Sequence, residues 1–462
     1  MSASEDRYDA ALRFLLGRID YERMPTVPYR GADFKLSRMV ELLDRLGNPH
    51  ERLAILHVAG TKGKGSTVAM LSAVLTAAGY RTGMFTSPHF EKVEERFRID
   101  GSPCSAAELT GLIEAVRPAV DAMDRVTVAE GPTGPTYFEI TTAMALLHFV
   151  QRKVDAAILE VGLGGRLDST NVCTPRVSLI TSISLDHTQQ LGNTLGAIAR
   201  EKAGIVKPGV PVVSGALAAE ARAVIAEVCR THRSRLVELG VDFAYDYRPP
   251  RNLQQAASTG RMDFRPLRSL PGAVAQAPYH DLALNLPGRH QAANASLALA
   301  ALDELRREGW QIDESSVRRG LAAMCWPGRA EVVHRRPAVV VDVAHNPASI
   351  EALVETLTES FCAKRRHLIF AASKEKDIRG MLERLLRHFD NMVFTRYQSN
   401  PRSVAPEQLA KLAQELAQRH FLVAETPALA VASVREAAQP DDLICATGSF
   451  FIAAEVRRLF GE

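Results

Sequence analysis

The chain has 462 residues, with 56 Lys and Arg against 53 Asp and Glu, for a formal net charge of +3. At ~150 residues per domain, this length allows about three folding units or two larger ones. Hydrophobic residues at 46% and charged residues at 24% match an ordinary soluble globular protein and exclude a collagen-like, mucin-like, coiled-coil or largely disordered chain, while the balanced charge gives no general attraction to nucleic acid or an anionic membrane.

In chain order, the opening MSASEDRYDAAL lacks a basic start followed by an apolar run, so no secretory signal is expected. Short β-rich runs follow, each ending in a glycine-rich or polar turn and then a helical pattern: LAILHVAG (53–60), DAAILEVGLGG (155–165), VSLITSISLDH (177–187) and VPVVSG (210–215). That alternation predicts a parallel α/β sheet. Val68, Leu71, Val74, Leu75 and Ala78 recur at helical spacing, and Gly79 fits the helix terminus. The longest apolar stretch, Thr141 to Val150, contains His148 and reads as a buried helix, well short of the ~18 apolar residues that span a bilayer.

From about 240 to 285 the pattern breaks into YDYRPPRN, ASTGRMDFRP and SLPGAVAQAP, expected to form strands and loops at the sheet edge. Helical periodicity resumes at 294–309 and 315–324, and Trp326, Pro327 and Gly328 interrupt it. The domain boundary is therefore placed near 325. Beyond it a second alternation runs through 338–347, 367–373, 391–396, 421–425 and 441–450. The expected architecture is α/β, with a P-loop-type, mostly parallel sheet in an N-terminal domain (1–325) and a smaller Rossmann-like α/β C-terminal domain (326–462). The six cysteines, at 104, 173, 229, 325, 362 and 445, show no metal-ligand spacing and suit a reduced, cytoplasmic protein.

The richest segment is HVAGTKGKGSTVAML. Gly60, Thr61, Gly63, Lys64, Gly65, Ser66 and Thr67 lie between strand and helix, where glycines let backbone N–H groups approach an anion and a helix N-terminus favours negative charge. Lys64 can reach terminal phosphates, and Ser66 or Thr67 can help position a metal-bound nucleotide. The spacing departs from GxxxxGK[ST], because Val58 occupies the first glycine position and Gly65 separates Lys64 from Ser66. The alternative is a tight turn that uses glycine for geometry alone.

GTKGKGS, TSPH (86–89), TYFE (136–139), EVGLGGRLDSTN (160–171), LDH (185–187), EKAGIVKPG (201–209), GRHQAANA (288–295), WPGR (326–329), DVAHNP (342–347) and TGS (447–449) together resemble the folylpolyglutamate synthase and dihydrofolate synthase family, the folate branch of the Mur-type amide ligases. The resemblance implies ATP-dependent joining of L-glutamate to dihydropteroate or to a folylpolyglutamate through an acyl phosphate, with ADP and phosphate released. It implies magnesium, two ions in such a site, held by Ser87, Glu160, His187 and a carbamylated Lys202. It further implies nucleotide contacts from Asn294, Arg329 and Asp342 on either side of the boundary, and contacts to the pterin-bearing acid from Thr136, Tyr137, Phe138, Glu139, Leu167, Asp168 and Ser169.

Chemistry gives each of these residues a second reading. Glu160 can be an ion-pair partner, Lys202 a solvated lysine, Tyr137 and Phe138 core aromatics, Arg329 an interdomain ion pair and Asp342 a helix cap. His345 in AHNP can contact nucleotide or amino acid, or aid amine deprotonation, so the expected catalytic set is Lys64, His187, Lys202 and His345. Ser373, Lys374, Asp377 and Ser449 lie near strand ends and are expected to hold glutamate. A bifunctional, cytoplasmic, monomeric enzyme with small-molecule substrates, and with no nucleic-acid or membrane partner, is the leading expectation. A Mur-type ligase for a cell-wall precursor and a P-loop switch without ligase activity are the alternatives.

Overall fold

The computed structural model describes residues 3–22, 36–127, 134–268 and 278–461, so most of SLPGAVAQAP lies outside the described residues. The first sheet contains β1 (Ile55–Ala59), β2 (Thr82–Phe85), β3 (Phe97–Ile99), β4 (Ser102–Pro103), β5 (Ala156–Glu160), β6 (Val177–Ile180), β7 (Val212–Ser214) and β8 (Leu236–Glu238). Its order is β4-β3-β2-β5-β1-β6-β7-β8. β1 pairs in parallel with β5 on one side and β6 on the other, and only β3 and β4 run antiparallel to their neighbours. Every residue of β1, β5 and β6 is buried, as expected of central strands covered on both faces.

The helix Lys64–Ala77 follows β1 and closes at Gly79, whose φ of +92° suits glycine. The apolar stretch ending at Val150 lies in the helix Tyr137–Gln151, buried on nearly all sides. This explains why it lacks a polar stripe.

The 240–285 region does not sit at the edge of this sheet. β9 (Phe243–Arg248), β10 (Gly260–Pro266) and β11 (Tyr279–Leu284) form their own sheet in the order β11-β10-β9. The alternation inside these strands accounts for it. Phe243 and Phe264 meet on a buried face with ring centroids 5.7 Å apart, while Arg248 pairs with Asp263 and Asp281 on an exposed one. One apolar and one charged face suit a small antiparallel-type layer better than an extension of a doubly covered sheet.

The third sheet contains β12 (Glu331–Arg335), β13 (Ala338–Val341), β14 (Arg366–Phe370), β15 (Asn391–Phe394), β16 (Leu422–Val423) and β17 (Leu443–Thr447), in the order β12-β13-β17-β14-β15-β16. All its pairings are parallel except β12 with β13. The chain divides into two compact units: Met1–Tyr245 with Phe264–Tyr279 and Ala293–Ala323, and Asp246–Asp263 with His280–Ala292 and Met324–Glu462. In each unit the parallel strands deliver their carboxyl ends to one edge, where open α/β sheets gather ligand-binding groups.

Candidate active site

In the first unit the glycine-rich loop leaves β1 and is held from the side by the segment after β6. Thr61 N–H donates to Ser182 O at 2.7 Å, and Lys62 N–H to Ser182 Oγ at 3.0 Å. Gly60 has φ +148° and Gly63 φ +85°; a Cβ on either would come within 2.1 Å of a neighbouring oxygen, Thr181 Oγ1 or Asn294 Oδ1. Both are therefore required by close approach, and Asn294, from the helix Arg289–Arg307, abuts the loop. Gly63 caps the helix that begins at Lys64, so first-turn N–H groups present positive potential where the loop ends. Ser66 and Thr67 are buried, and Thr67 Oγ1 is committed to Gly63 O at 2.9 Å.

Glu160, the last residue of β5, is 6% exposed. Its carboxylate accepts the Ser87 N–H at 3.2 Å and lies 3.9 Å from Lys64 Nζ. The ends of β2, β5 and β1 thus meet at one carboxylate. Lys202, on the helix Leu195–Ala203, is 5% exposed and donates to Gly60 O at 3.0 Å. Burial, then the charge of Lys64, with Lys62 acting in the same sense, pushes its amine from 10.5 down to about 7, against the opposing pull of Asp186 and Asp168. His187 adopts a left-handed conformation (φ +50°) and stays about half exposed, with Nε2 4.0 Å from Asp186 Oδ1. Among the described residues, no group of three His, Cys, Asp or Glu side chains gathers to hold a metal.

Thr136 and Glu139 form a reciprocal cap at the start of the helix Tyr137–Gln151, and Glu139 also pairs with Arg38 at 2.8 Å. Tyr137 is 1% exposed beneath the Arg96 guanidinium, so its ring belongs to the core. Phe138 is only partly buried and flanks Gly162, where a Cβ would sit 2.6 Å from the ring. Leu167 and Ser169 are half-buried. Asp168 is buried and accepts Leu163 N–H at 2.9 Å and Thr170 N–H at 3.0 Å, which folds GLGGR into a compact loop.

Behind that loop runs a hydrogen-bond chain with one direction. Thr170 Oγ1 donates to Asp168 Oδ1 at 2.5 Å, so its oxygen accepts from His57 Nε2 at 2.8 Å. His57 Nδ1 then faces Cys173 Sγ at 3.7 Å as the acceptor. Burial pushes the His57 imidazole down to about 3, with Lys207 adding to the effect, so it is neutral as this pattern requires.

In the second unit Asp342, just past β13, accepts N–H groups from Ala330 and Ala344, each at 2.7 Å. Burial raises its pKa, opposed first by Arg329. The Arg329 guanidinium lies 5.3 Å from the Phe450 ring centroid, and His345 lies 6.2 Å from the same ring. His345 Nδ1 is 2.8 Å from the Val343 carbonyl, which can only accept, so Nδ1 carries the proton. His290 is buried and pushed down to about 4 by desolvation and Arg329. Ser373, after β14, bonds Tyr397 Oη at 2.7 Å, whereas Lys374 and Asp377 are exposed, Asp377 capping the helix Ile378–Leu385. Ser449, after β17, accepts Ile452 N–H at 3.2 Å.

The family model "Mur ligase middle domain" matches residues 58–302, and "Mur ligase, glutamate ligase domain" matches 328–450. The dihydrofolate synthase/folylpolyglutamate synthase of Bacillus subtilis is 35% identical over 458 residues, 98% of each chain. The chain belongs to the folylpolyglutamate synthase/dihydrofolate synthase family of Mur ligases. Two solved structures of this family extend the likeness to the fold. A Mycobacterium tuberculosis folylpolyglutamate synthase complexed with ADP and AMPPCP has TM-score 0.87 and 33% identity, covering 99% of each chain. Escherichia coli FolC in complex with DHPP and ADP has TM-score 0.83 and 30% identity, covering 100% of this chain and 99% of that one.

For a folylpolyglutamate synthase family member, three features of these two edges were not anticipated from the sequence. Asp186, 2.6 Å from Lys62, fixes the loop after β6. His57 and Thr170 hold Asp168 from behind, and Phe450 with His290 completes the surroundings of Arg329. Asp186 lay inside the LDH motif and was readable. The His57–Thr170 contact joins residues 113 apart, and no local pattern announces it.

Proposed function

We propose that this chain joins L-glutamate to dihydropteroate and to folylpolyglutamate acceptors, as a bifunctional dihydrofolate synthase/folylpolyglutamate synthase. The enzyme is an ATP-dependent, ADP-forming ligase. The acceptor carboxylate attacks the terminal phosphorus of ATP, giving an acyl phosphate and ADP. The neutral amine of glutamate then attacks the acyl carbon, phosphate leaves, and the amine proton passes to a base. What carries this reading is the meeting of the glycine-rich loop, Lys64, Glu160 and Lys202 at the carboxyl ends of β1, β2 and β5.

In this reading the N–H groups of Gly63, Gly65 and Ser66, together with Gly60, Thr61, Thr67 and Lys64, cradle the phosphates. Asn294, Arg329 and Asp342 contact the nucleotide, and the planar Arg329 fork suits a doubly bonded phosphate. Phe138 offers the aromatic face for a pterin, with Tyr137 behind it and Thr136, Glu139, Leu167, Asp168 and Ser169 shaping the site. His345, protonated at Nδ1, offers its other ring nitrogen to the attacking amine, and Ser373, Lys374, Asp377 and Ser449 hold glutamate. Residues 1–325 then carry the ATP and folate chemistry, and 326–462 the glutamate-binding chemistry.

A buried carboxylate at Glu160, the Ser87 hydroxyl and His187 suit a hard divalent ion only in part, because oxygen donors are few. A carbamylated Lys202 supplies the missing ones. Its neutral amine adds to carbon dioxide, forming an N–C bond and releasing a proton, and a pKa near 7 leaves that amine well populated at neutral pH. Magnesium, when bound by Ser87, Glu160, His187 and the modified Lys202, neutralises phosphate charge. No described helix is long and apolar enough to cross a membrane, and we place the enzyme in the cytoplasm as a monomer.

Purified protein with Mg-ATP, L-glutamate and either dihydropteroate or a reduced folate should release phosphate and yield a product heavier by one glutamyl residue. Phosphate release without amide product refutes the ligase reading, and product from only one acceptor refutes bifunctionality.

A further inference from the structure

The glycine-rich loop that follows β5 and the end of the helix Leu195–Ala203 meet backbone against backbone. A Cβ on Gly165 would lie 2.9 Å from both Glu201 O and Lys202 O, and one on Gly204 would lie 2.5 Å from Arg166 Cα. Gly204 has φ −61°, in the right-handed helical region open to any residue, so its conformation does not demand glycine. The close approach does. Across the same contact Arg166 N–H donates to Glu201 O at 2.9 Å.

Asn171 ties the two segments together. Its Nδ2 donates to Arg166 O on one side and to Gly204 O on the other, each at 3.0 Å. The residue is 5% exposed, and its Oδ1 takes no hydrogen bond among the described residues, so the side chain works through its two N–H donors. Gly204 O is one of the carbonyls that a helix end leaves unmet, and Asn171 satisfies it from outside the helix. Along the chain, Asn171 N–H donates to Asp168 O at 2.9 Å, within the turn that Asp168 caps. On the far side, Lys202 Nζ donates to Gly60 O at 3.0 Å. A continuous path therefore runs from the phosphate-binding loop through Lys202 and Gly204 to Asn171, and from there to Asp168.

We propose that Asn171 is a positioning residue for the acceptor, holding the loop 162–169 against the end of the Lys202 helix so that the acceptor carboxylate stays in register with the phosphate-binding loop. This rests on the ligase reading above, in which Leu167, Asp168 and Ser169 contact the acceptor. Asn171 touches no reacting atom and acts through the backbone of its neighbours. A shift of about 1 Å in a group that orients a reactant can cost about 100-fold in rate, which is the scale on which such a tie matters. Glutamate recognition, assigned to residues of the second unit, does not depend on it.

The test is steady-state kinetics of the full-length enzyme with Mg-ATP, varying dihydropteroate and L-glutamate in turn, for Asn171→Ser, Asn171→Ala and Gly204→Ala, with thermal unfolding of each. Serine can donate to only one of the two carbonyls and alanine to neither. The KM for dihydropteroate should therefore rise from wild type through serine to alanine, by about 10- to 100-fold for alanine, while the KM for L-glutamate stays within about twofold. Gly204→Ala parts the same segments from the other side and should reproduce that split; with Asn171→Ser, which keeps one bond, it carries the test if Asn171→Ala does not fold. A lowered Tm with an unchanged KM for dihydropteroate marks a purely structural amide and overturns the proposal, as does an equal rise in both KM values. If the wild-type enzyme forms no amide with any folate acceptor, the ligase reading fails instead, and the two failures are thereby distinct.

Discussion

Lys202→Met should make the metal-free, carbon dioxide-free protein more stable while removing its activity. In the folded chain the amine has a pKa of about 7, and in the unfolded chain about 10.5. The unfolded state therefore binds more protons between these values, and stability falls as pH drops from about 10.5 to about 7, then levels off. At the acid limit the separation is worth about 5 kcal/mol, and near pH 9 it is still about 2 kcal/mol. Methionine keeps the length and apolar stem but has nothing to titrate, so the variant's advantage should be largest below about pH 7 and vanish above about pH 10.5. Loss of the bond to Gly60 O subtracts about 1 kcal/mol throughout. Urea unfolding of wild type and variant, in degassed buffer with chelator, at several pH values across this range reads the difference directly. A variant that is less stable than wild type at about pH 6, or a difference independent of pH, would refute a buried, neutral-prone amine and with it the basis for carbamylation.

Gly63→Ala should leave the fold intact but weaken ADP binding by at least about tenfold in calorimetry, since the φ of +85° costs about 1–2 kcal/mol and the new Cβ would lie 2.1 Å from Asn294 Oδ1; wild-type affinity would show that the loop tolerates reshaping. Thr170→Val should remove the hydroxyl between His57 and Asp168, leaving the buried His57 N–H without an acceptor and Asp168 with one donor fewer, a loss of about 2–4 kcal/mol, seen as a fall of about 5–10 °C in Tm. A change below about 1 °C would mean that the chain of hydrogen bonds contributes nothing.

Much of both strand edges was legible because its signals are local. An apolar run closed by glycine places a strand end, and so Gly60, Glu160, Asp342 and Ser449 are all found at or just beyond carboxyl ends. The separate sheet β9–β11 was harder, since short strands rich in Pro, Gly and Arg look alike whether they extend a sheet or start one. The partly buried Phe138 and the core Tyr137 are adjacent in sequence, and only Arg96, lying over one of them, tells them apart. Glu139 reads as a helix-start carboxylate, yet its ion pair with Arg38 crosses 101 residues. The approach of Gly204 to Arg166 is likewise invisible until the chain folds, because a close backbone contact is a property of packing.

The chain from Cys173 through His57 and Thr170 to Asp168 has a bearing on how the enzyme responds to acidity. Each donor in it has one acceptor, and its imidazole gains a proton only near pH 3, whereas at the far end burial raises the pKa of the Asp168 carboxyl, opposed by its hydrogen bonds from Thr170 and Leu163. The imidazole is thereby insulated from physiological pH, and any titration within the chain falls to Asp168. Lys202, bonded to Gly60 O in the glycine-rich loop and pushed down to about 7, is a second buried group whose charge responds to acidity. One edge of a single sheet thus carries two buried groups, Lys202 and Asp168, whose pKa values burial displaces in opposite directions, each towards its neutral form.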